Sequence, residues 1–467
     1  MTAIATKIKT ATKTKKTELT HKKAKNDQKQ KDLEAFIKKQ LMDVRYNARE
    51  GVHLVRKGDQ IVPDKGYLKG LEYPIKAWLN EPEEIRYEIN ALDARIKYEC
   101  SIQYHGAIAG RKTNDIVSCN GIDWLVTSSP KFVEPVPGDW THMKELVETL
   151  LPEEQAQLAT YSWLKVQVHA IRSGMHSKCP MLILAGDAND GKSFFLRLIT
   201  VLRGGREINP MKAWNGEGAA WTDHLIGAEC LNIDDSGAQK DYRSRENFAA
   251  KFKETIYSDS ITIDKRHTTS FTLDPRPVLG LVLALNANGN AIKVLPALDG
   301  DDMSDKAIVL RTQHAKILWR EQGDEAAAQR MKTYLDELPA FMNWLLHEFK
   351  VPSKLPKGCE TTRSGAVLYR NPEAMSLLHS VSPAGLLEEA LDEHIESYGL
   401  QYVPDPMTSQ SLLTTLGDWR DKDTRIPRTA QMLGIYLAQI AARPNSCVEV
   451  AGQRDNSKLW KLKKRQP

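Results

Sequence analysis

Three consecutive runs between Met181 and Leu202 decide the fold: MLILA (181–185), GDANDGKS (186–193) and FFLRLITVL (194–202). The first run is typical of a buried strand, and the third predicts a helix that Gly204 and Gly205 end. The middle run is a full GxxxxGK[ST] match. Strand, glycine-rich turn and helix in this order predict a phosphate-binding loop (P-loop), because backbone N–H groups at a helix N-terminus can surround phosphate oxygens.

The residue types within this loop predict how a nucleotide is held. We expect Lys192 to bridge the β- and γ-phosphates of ATP, and the Ser193 hydroxyl to bind Mg²⁺. ATP and Mg²⁺ are therefore the predicted cofactors. The residues predicted to surround the nucleotide are Gly186, Asp187, Ala188, Asn189, Asp190, Gly191, Lys192 and Ser193.

A second strand that carries acidic residues is needed beside such a loop. The run ECLNIDDS (229–236) is a short apolar strand that ends in two adjacent carboxylates. Successive residues of a strand point to opposite faces, so the two carboxylates are expected to differ in role. We expect Asp234 to bind the Mg²⁺ ion and Asp235 to polarise the attacking water.

A third buried strand, VLGLVLAL (278–285), ends in Asn286. An amide at this place could hydrogen-bond the γ-phosphate or the attacking water. Further along, the apolar run in SDKAIVLR (304–311) ends in Arg311. Such an arginine can complete the ATP site of a neighbouring subunit, although a surface salt bridge is the alternative interpretation.

Between the acidic strand and the asparagine strand lies FKETIYSDSITIDKRHTTSF (252–271). The alternation of apolar residues at Ile261 and Ile263, and again at Phe271, predicts a hairpin. Its tip would carry three cationic or titratable side chains that suit phosphate contact, with a solvated loop as the alternative. They are Lys265, Arg266 and His267.

Taken in order, these segments resemble the motifs of the superfamily 3 helicases. They are GDANDGKS, ECLNIDDS, the 252–271 hairpin, VLGLVLALNAN and DKAIVLR. More narrowly, they resemble the helicase part of phage, plasmid and viral primase-helicases, over about residues 140–320. By position, Lys265 matches the hairpin lysine and Asn286 the sensor asparagine of that family. The family often has paired arginines where this chain has Asp305-Lys306 and then a lone Arg311.

The resemblance implies an AAA+ type α/β domain, a parallel sheet flanked by helices, that assembles into a hexameric ring around DNA. It implies an ATPase that drives DNA unwinding in a phage, satellite or plasmid replication system, acting on single-stranded or forked DNA. No paired-carboxylate motif in this chain indicates a primase. The resemblance therefore implies that a separate primase could be a partner of the protein. A nucleotide-dependent DNA-binding initiator or packaging ATPase and a small-molecule P-loop kinase stay open as alternatives.

The amino-acid composition of each segment suggests how the rest of the chain is organised into domains. Residues 1–40 hold 12 lysines and four acidic residues, a charge of +8, so the remainder of the chain carries −3 of the net +5. We expect a disordered basic arm (1–31), a small α+β domain (32–139), a helical lead-in (140–178), the ATPase domain (179–350) and a helical, winged-helix-like domain (351–467). Asn120-Gly121 predicts a hairpin turn in the second of these segments.

The C-terminal end predicts a helix from Thr429 to Ile440 followed by a hairpin between Val448 and Leu462. Helix followed by hairpin is the outline of a winged-helix module, whose basic end could contact DNA or simply cap the domain. The six cysteines lie far apart and no apolar run is long enough for a membrane span. These features predict a protein of a reducing cytosol, and the resemblance implies the bacterial host cytoplasm, at DNA.

Overall fold

The structure is a computed structural model that describes residues 2–119, 121–214, 225–234, 248–263, 270–274, 276–286, 303–316, 323–380, 382–399, 406–417, 423, 425–443, 445–455 and 457–464. The chain divides into two compact units, Met1–Ser129 and Pro130–Pro467. The division falls before residue 139, where the sequence predicted the end of the small α+β domain. Residues 130–139 belong to the second unit because Lys131 and Val136 donate backbone hydrogen bonds to Gly204 and Pro339.

The first unit combines helices with two small sheets. Its helices are α1 (Thr2–Asp43), α2 (Tyr67–Gly70), α3 (Glu72–Ile75) and α4 (Pro82–Glu99). Its strands are β1 (Val44–Asn47), β2 (Val52–Lys57), β3 (Gln60–Asp64), β4 (Ser101–Ile102), β5 (Tyr104–Gly106), β6 (Ile116–Cys119) and β7 (Ile122–Val126). The sheet orders are β3-β2-β1-β4 and β5-β7-β6. Strands β6 and β7 are antiparallel, which confirms the hairpin predicted around Gly121.

Helix α1 replaces the disordered arm that the composition suggested for residues 1–31. The first 50 residues contain no glycine or proline, and their lysine, alanine and glutamine residues have high helix propensity. The C-terminal part of α1 also has a packing partner, because Leu33 is buried in the core of the first unit together with Phe36 and Ile37. A helix anchored at one end can extend through residues that have no core contact of their own.

The second unit is built on a parallel sheet. Its helices are α5 (Thr141–Leu150), α6 (Glu154–Ser173), α7 (Lys192–Leu202), α8 (Met211–Trp214), α9 (Asp324–Asn343), α10 (Pro372–Ser380), α11 (Pro383–Tyr398), α12 (Ser409–Thr415) and α13 (Ala430–Ala441), with a 3₁₀ turn at Leu225–Gly227 and π-helical turns at Lys253–Tyr257 and Trp344–Glu348. Its strands are β8 (Met181–Gly186), β9 (Glu207–Ile208), β10 (Cys230–Ile233), β11 (Ile261–Ile263), β12 (Phe271–Leu273), β13 (Gly280–Asn286), β14 (Ala307–Arg311), β15 (Cys359–Thr361), β16 (Val367–Tyr369), β17 (Val448–Arg454) and β18 (Ser457–Leu462).

The central sheet has the order β14-β8-β13-β10-β9, and all of its neighbouring strands are parallel. Every residue of β8 and β10 is buried, as expected for a parallel sheet that is covered on both faces. Helices α5, α6, α7 and α9 contribute to the same apolar core as β8, β13 and β14. This arrangement confirms the predicted α/β sheet flanked by helices.

The C-terminal segment has its own apolar core, which is formed by α11, α12, α13, β17 and β18. The predicted helix is present as α13, and Thr429 caps it by accepting a hydrogen bond from the Met432 amide. The predicted hairpin is present as the antiparallel pair β17–β18. Met407 adds a short antiparallel bridge to Trp460. Among the described residues, no helix is long and apolar enough to cross a membrane.

Candidate functional site

Three parallel strands of the central sheet end side by side at the predicted P-loop. In the register of the sheet, Asn286 at the end of β13 pairs with Gly186 at the end of β8. On the other side of β8, Arg311 at the end of β14 pairs with Ala185. The crevice outside the carboxyl ends of parallel strands is the usual ligand site in α/β folds. The sequence-predicted asparagine and arginine therefore flank the loop from opposite sides.

The P-loop has the backbone geometry that its sequence predicts. Helix α7 begins at Lys192, directly after Gly191, whose φ of 107° is a left-handed value that favours glycine. Asn189 also has a positive φ, of 67°, which asparagine tolerates better than most residues. The loop thus leads directly into the N-terminus of an 11-residue helix, where an anion is stabilised.

Lys192 connects the loop to the neighbouring strand. Its Nζ donates to the backbone oxygens of Asp187, at 2.6 Å, and Gly186, at 3.2 Å. It also donates to Oδ1 of Asn286, at 3.1 Å. The side chain is only 6% exposed, so these oxygens compensate the cost of burying its charge. The structure therefore brings together two residues that the sequence predicted to share a role.

A buried hydrogen bond fixes the P-loop to the segment that follows β14. Asp190 and Thr312 are 4% and 1% exposed, and the Thr312 hydroxyl donates to Asp190 Oδ2 at 2.8 Å. A Cβ atom at position 186 would overlap both of these side-chain oxygens. Gly186 is therefore required by the close approach of this pair, in addition to the turn that it begins.

The end of β14 and the residues after it contact successive residues of the P-loop. Arg311 Nη2 lies 3.3 Å from Asp187 Oδ2, and His314 Nδ1 lies 3.1 Å from the Asn189 oxygen. The Ala315 amide donates to the Asp190 oxygen at 3.0 Å. Sequence reasoning assigned Arg311 to a neighbouring subunit's site, and that role stays a prediction. Within its own chain the guanidinium contacts the P-loop, because β14 pairs directly with β8.

The predicted metal ligands lie at the same edge of the sheet. Ser193 is exposed on the first turn of α7, and Asp234 is exposed directly after Ile233, the last residue of β10. A hydroxyl and a carboxylate are oxygen ligands of the kind that Mg²⁺ prefers, so these two residues fit the ion. Asp235 lies outside the described residues.

The base of the predicted hairpin is described, but its tip is not. Strands β11 and β12 pair antiparallel from Ile261–Leu273 to Ile263–Phe271, which confirms the hairpin. Lys265, Arg266 and His267 lie outside the described residues. Arg276, 7% exposed, donates to the backbone oxygens of Thr255 and Ser258, and so fixes the turn that leads into β11.

A histidine also connects the hairpin base to the central sheet. His176 Nε2 donates to the Ile256 oxygen at 2.8 Å, and Nδ1 accepts from the Leu279 amide at 3.4 Å. The second bond requires the neutral imidazole, because Nδ1 can accept only when it carries no proton. Burial, with the nearby Arg276 charge as the next cause, lowers the pKa of His176 to about 4. Its environment therefore favours the uncharged form at neutral pH.

Sequence reasoning missed the segment from Thr312 to Ala315. Thr312 and His314 follow a strand but belong to no recognisable motif. Asp190 occupies one of the four positions of GxxxxGK[ST] at which the motif accepts any residue. The available signal was the position of Thr312, one residue beyond a strand that was expected to end at the site. Only the sheet order, which puts β14 next to β8, turns that position into a contact with Asp190.

No family model and no curated protein matches the chain. Among solved structures, it is similar to the apo structure of the NrS-1 C-terminal region, at 12% identity and a TM-score of 0.51, over 90% of this chain and 95% of that chain. It is also matched, at 11% identity and a TM-score of 0.39, to a structure described as SCCmec type IV Cch, active helicase, over 91% of this chain and 92% of that chain. At 12% identity, the likeness to the NrS-1 C-terminal region concerns the fold alone.

Proposed function

We propose that the protein is an ATP-driven DNA helicase of a phage, satellite or plasmid replication system. The observation that carries the proposal is the hydrogen bond from Lys192 Nζ to Asn286 Oδ1, at the carboxyl edge of a parallel sheet. It joins the P-loop lysine to a polar residue on the adjacent strand. This is the arrangement expected of a site that binds the phosphates of ATP and responds to their hydrolysis.

In this proposal, catalysis consists of positioning and charge neutralisation. The P-loop amides and Lys192 bind the β- and γ-phosphates, and Asn286 hydrogen-bonds the γ-phosphate or the attacking water. Ser193 and Asp234 would hold Mg²⁺, which when bound supplies positive charge beside the transferred phosphate. Asp235 orients the water.

The DNA-contacting element of the proposal is the hairpin formed by β11 and β12. Its tip residues are cationic or titratable and would follow the phosphates of one strand without reading its bases. Arg276 and His176 hold the hairpin base against the carbonyls of residues 255–258. Since Leu279 contacts His176 immediately before β13 begins, β13 connects the nucleotide edge of the sheet to the hairpin base.

The remaining parts of the proposal concern assembly. We propose an AAA+ type ATPase domain that works as a homo-hexameric ring, and a C-terminal module that is winged-helix-like. The order α11, the Met407 bridge, α12, α13 and then the β17–β18 hairpin supports the second point, because it places two helices between a short bridge strand and the hairpin. A separate primase remains the proposed partner in replication.

The test is strand displacement from a labelled forked DNA duplex by the full-length protein with ATP and Mg²⁺. We expect the wild type to release the labelled strand and Lys192→Ala to release none, because the variant lacks the buried ammonium at the phosphates. Arg197→Ala, which changes an exposed arginine on α7, serves as the control and should unwind normally. ATP hydrolysis without displacement would instead favour a DNA-binding initiator or packaging ATPase.

A further inference from the structure

The first unit has an open groove between its short helices α2 and α3 and the longer helix α4. Its volume is about 530 Å³, which lies in the range of pockets that hold ligands in proteins. All of its lining residues lie between Leu68 and Asn90, so the groove belongs to one unit. No part of the proposed ATPase chemistry uses this segment. The groove is therefore a candidate site for a further partner.

The floor of the groove is aliphatic. Ile85 and Ile89 lie one turn apart on α4 and are 5% and 9% exposed. Leu68 and Leu79 also line the groove and pack, partly buried, against the same core. Among the residues that the structure describes, no aromatic side chain lines the groove. Single-stranded nucleic acid is commonly bound by stacking its bases on aromatic rings. The floor therefore suits an aliphatic side chain better than a nucleobase.

The rim of the groove is cationic. It is lined by Lys69, Lys76 and Arg86, against one acidic residue, Glu72. Lys76 Nζ lies 3.7 Å from Glu72 Oε2, and both side chains are more than half exposed, so this pair contributes little stability. Within the described part of the chain, the side chains of Lys69 and Arg86 form no ion pair or hydrogen bond. They leave positive charge at the edge of an apolar floor, which an acidic ligand can neutralise.

Two amide side chains complete the rim. Asn80 lies two residues before α4 and Asn90 lies within α4, and both are exposed. An amide can donate to and accept from the backbone of a bound peptide. An apolar floor, a cationic rim and amides that can meet a peptide backbone are features that together recognise a short acidic segment.

We propose that this groove binds a short acidic peptide segment of another protein, with an aliphatic side chain on the floor and carboxylates at Lys69 and Arg86. The planar guanidinium of Arg86 can pair with a carboxylate through two N–H groups, whereas Lys69 supplies a point charge. An aliphatic side chain buried against Ile85 and Ile89 adds apolar contact. The inference does not depend on the proposed ATPase function. It gives the first unit a role in recruiting a partner protein.

The experiment measures the fluorescence anisotropy of labelled peptides that are titrated with the full-length protein. The probe is a peptide in which leucines alternate with acidic residues. One comparison peptide has serine in place of leucine, and the other has lysine in place of the acidic residues. We expect the wild type to bind the probe about tenfold more tightly than either comparison peptide, because only the probe matches both the floor and the rim. The serine peptide keeps the negative charge and so accounts for any attraction to the lysines of α1.

Variants assign the binding to the groove. Lys69→Gln and Arg86→Gln combined in one chain should weaken probe binding about tenfold, because both unpaired rim charges are lost. The matched control combines Lys65→Gln and Lys112→Gln, which remove the same charge from exposed positions of the same unit that do not line the groove. A wild type that binds the probe and the serine peptide equally, or a groove variant that binds the probe like its control, would overturn the inference.

Asn90→Trp is a second test that leaves the rim charges in place. Its indole would fill part of the groove and should also weaken probe binding. Lys192→Ala should bind the probe like the wild type, so a failure of the proposed ATPase function can be told apart from a failure of this inference. Suppose instead that the groove variants lose affinity for a labelled oligothymidylate while the wild type shows no preference for the probe. That result would overturn the inference and assign the groove to DNA.

Discussion

Thr312 and Asp190 show how single side chains set the shape of the nucleotide site. Their hydrogen bond is buried beneath Gly186, where any larger residue would meet both oxygens. The bond fixes the middle of the P-loop while Lys192 fixes its end through the Gly186 and Asp187 oxygens. A loop held at both points is fixed before a phosphate binds, which lowers the entropy lost on binding.

Replacing Thr312 tests this support. We expect Thr312→Val to destabilise the protein by about 1–3 kcal/mol and to weaken ATP binding, because Asp190 is left buried without its donor. Thr312→Ser keeps the hydroxyl and should behave like the wild type in both measurements, urea unfolding and nucleotide titration. Equal stability of the valine variant and the wild type would show that the bond contributes nothing.

The P-loop residues could be predicted from the sequence because their spacing is itself the motif. Lys192, Ser193 and the flanking glycines need no partner from elsewhere in the chain to be recognised. The Asp190–Thr312 bond joins residues 122 positions apart, and nothing in either local sequence indicates the other. For the same reason, the contact between Arg311 and Asp187 could not be predicted from the sequence, because it depends on the order of the strands.

The strand ends and the hairpin base are the elements that couple the site to the rest of the unit. Strand β13 carries Asn286 at one end, and the residue before its start, Leu279, bonds to His176. His176 in turn bonds to the Ile256 oxygen, just before the hairpin. One element therefore contacts the nucleotide site at its carboxyl end and the hairpin base at its amino end.

Acid should weaken this junction. Because the pKa of His176 is about 4 in the folded chain and about 6.5 when unfolded, the unfolded chain binds the proton more tightly. Stability is therefore lost as the pH falls from 6.5 towards 4, by about 2 kcal/mol between pH 7 and pH 5. Urea unfolding at both pH values should show this extra loss in the wild type relative to His176→Gln. The same pH dependence of the unfolding free energy in both proteins would contradict the assignment of this stability loss to His176.

Element types were predictable where periodicity was strong. The strands β8, β10 and β13 are buried apolar runs, and the hairpins β6–β7 and β17–β18 follow from alternation and turn residues. Helix α1 was not predictable in the same way. Its composition resembles that of a solvated arm, and the decisive contact is the burial of Leu33 by other segments of the first unit.

The whole chain consists of two units with different content. The second unit contains the P-loop, the flanking asparagine and arginine, and the hairpin base, so each described residue of the proposed chemistry lies after Pro130. The first unit contains two small sheets and four helices in its described part. The fold similarity to the NrS-1 C-terminal region extends over 90% of the chain and is therefore not limited to the P-loop segment.

In the proposed function, phosphate binding at the carboxyl edge of β8 and β13 drives work on DNA. The most direct measurement is the rate of ATP hydrolysis by the full-length wild type, with and without single-stranded DNA, compared with Lys192→Ala. We predict hydrolysis that DNA stimulates in the wild type and its loss in the variant under both conditions. Equal hydrolysis by the two proteins, or a wild-type rate that DNA leaves unchanged, would contradict the account.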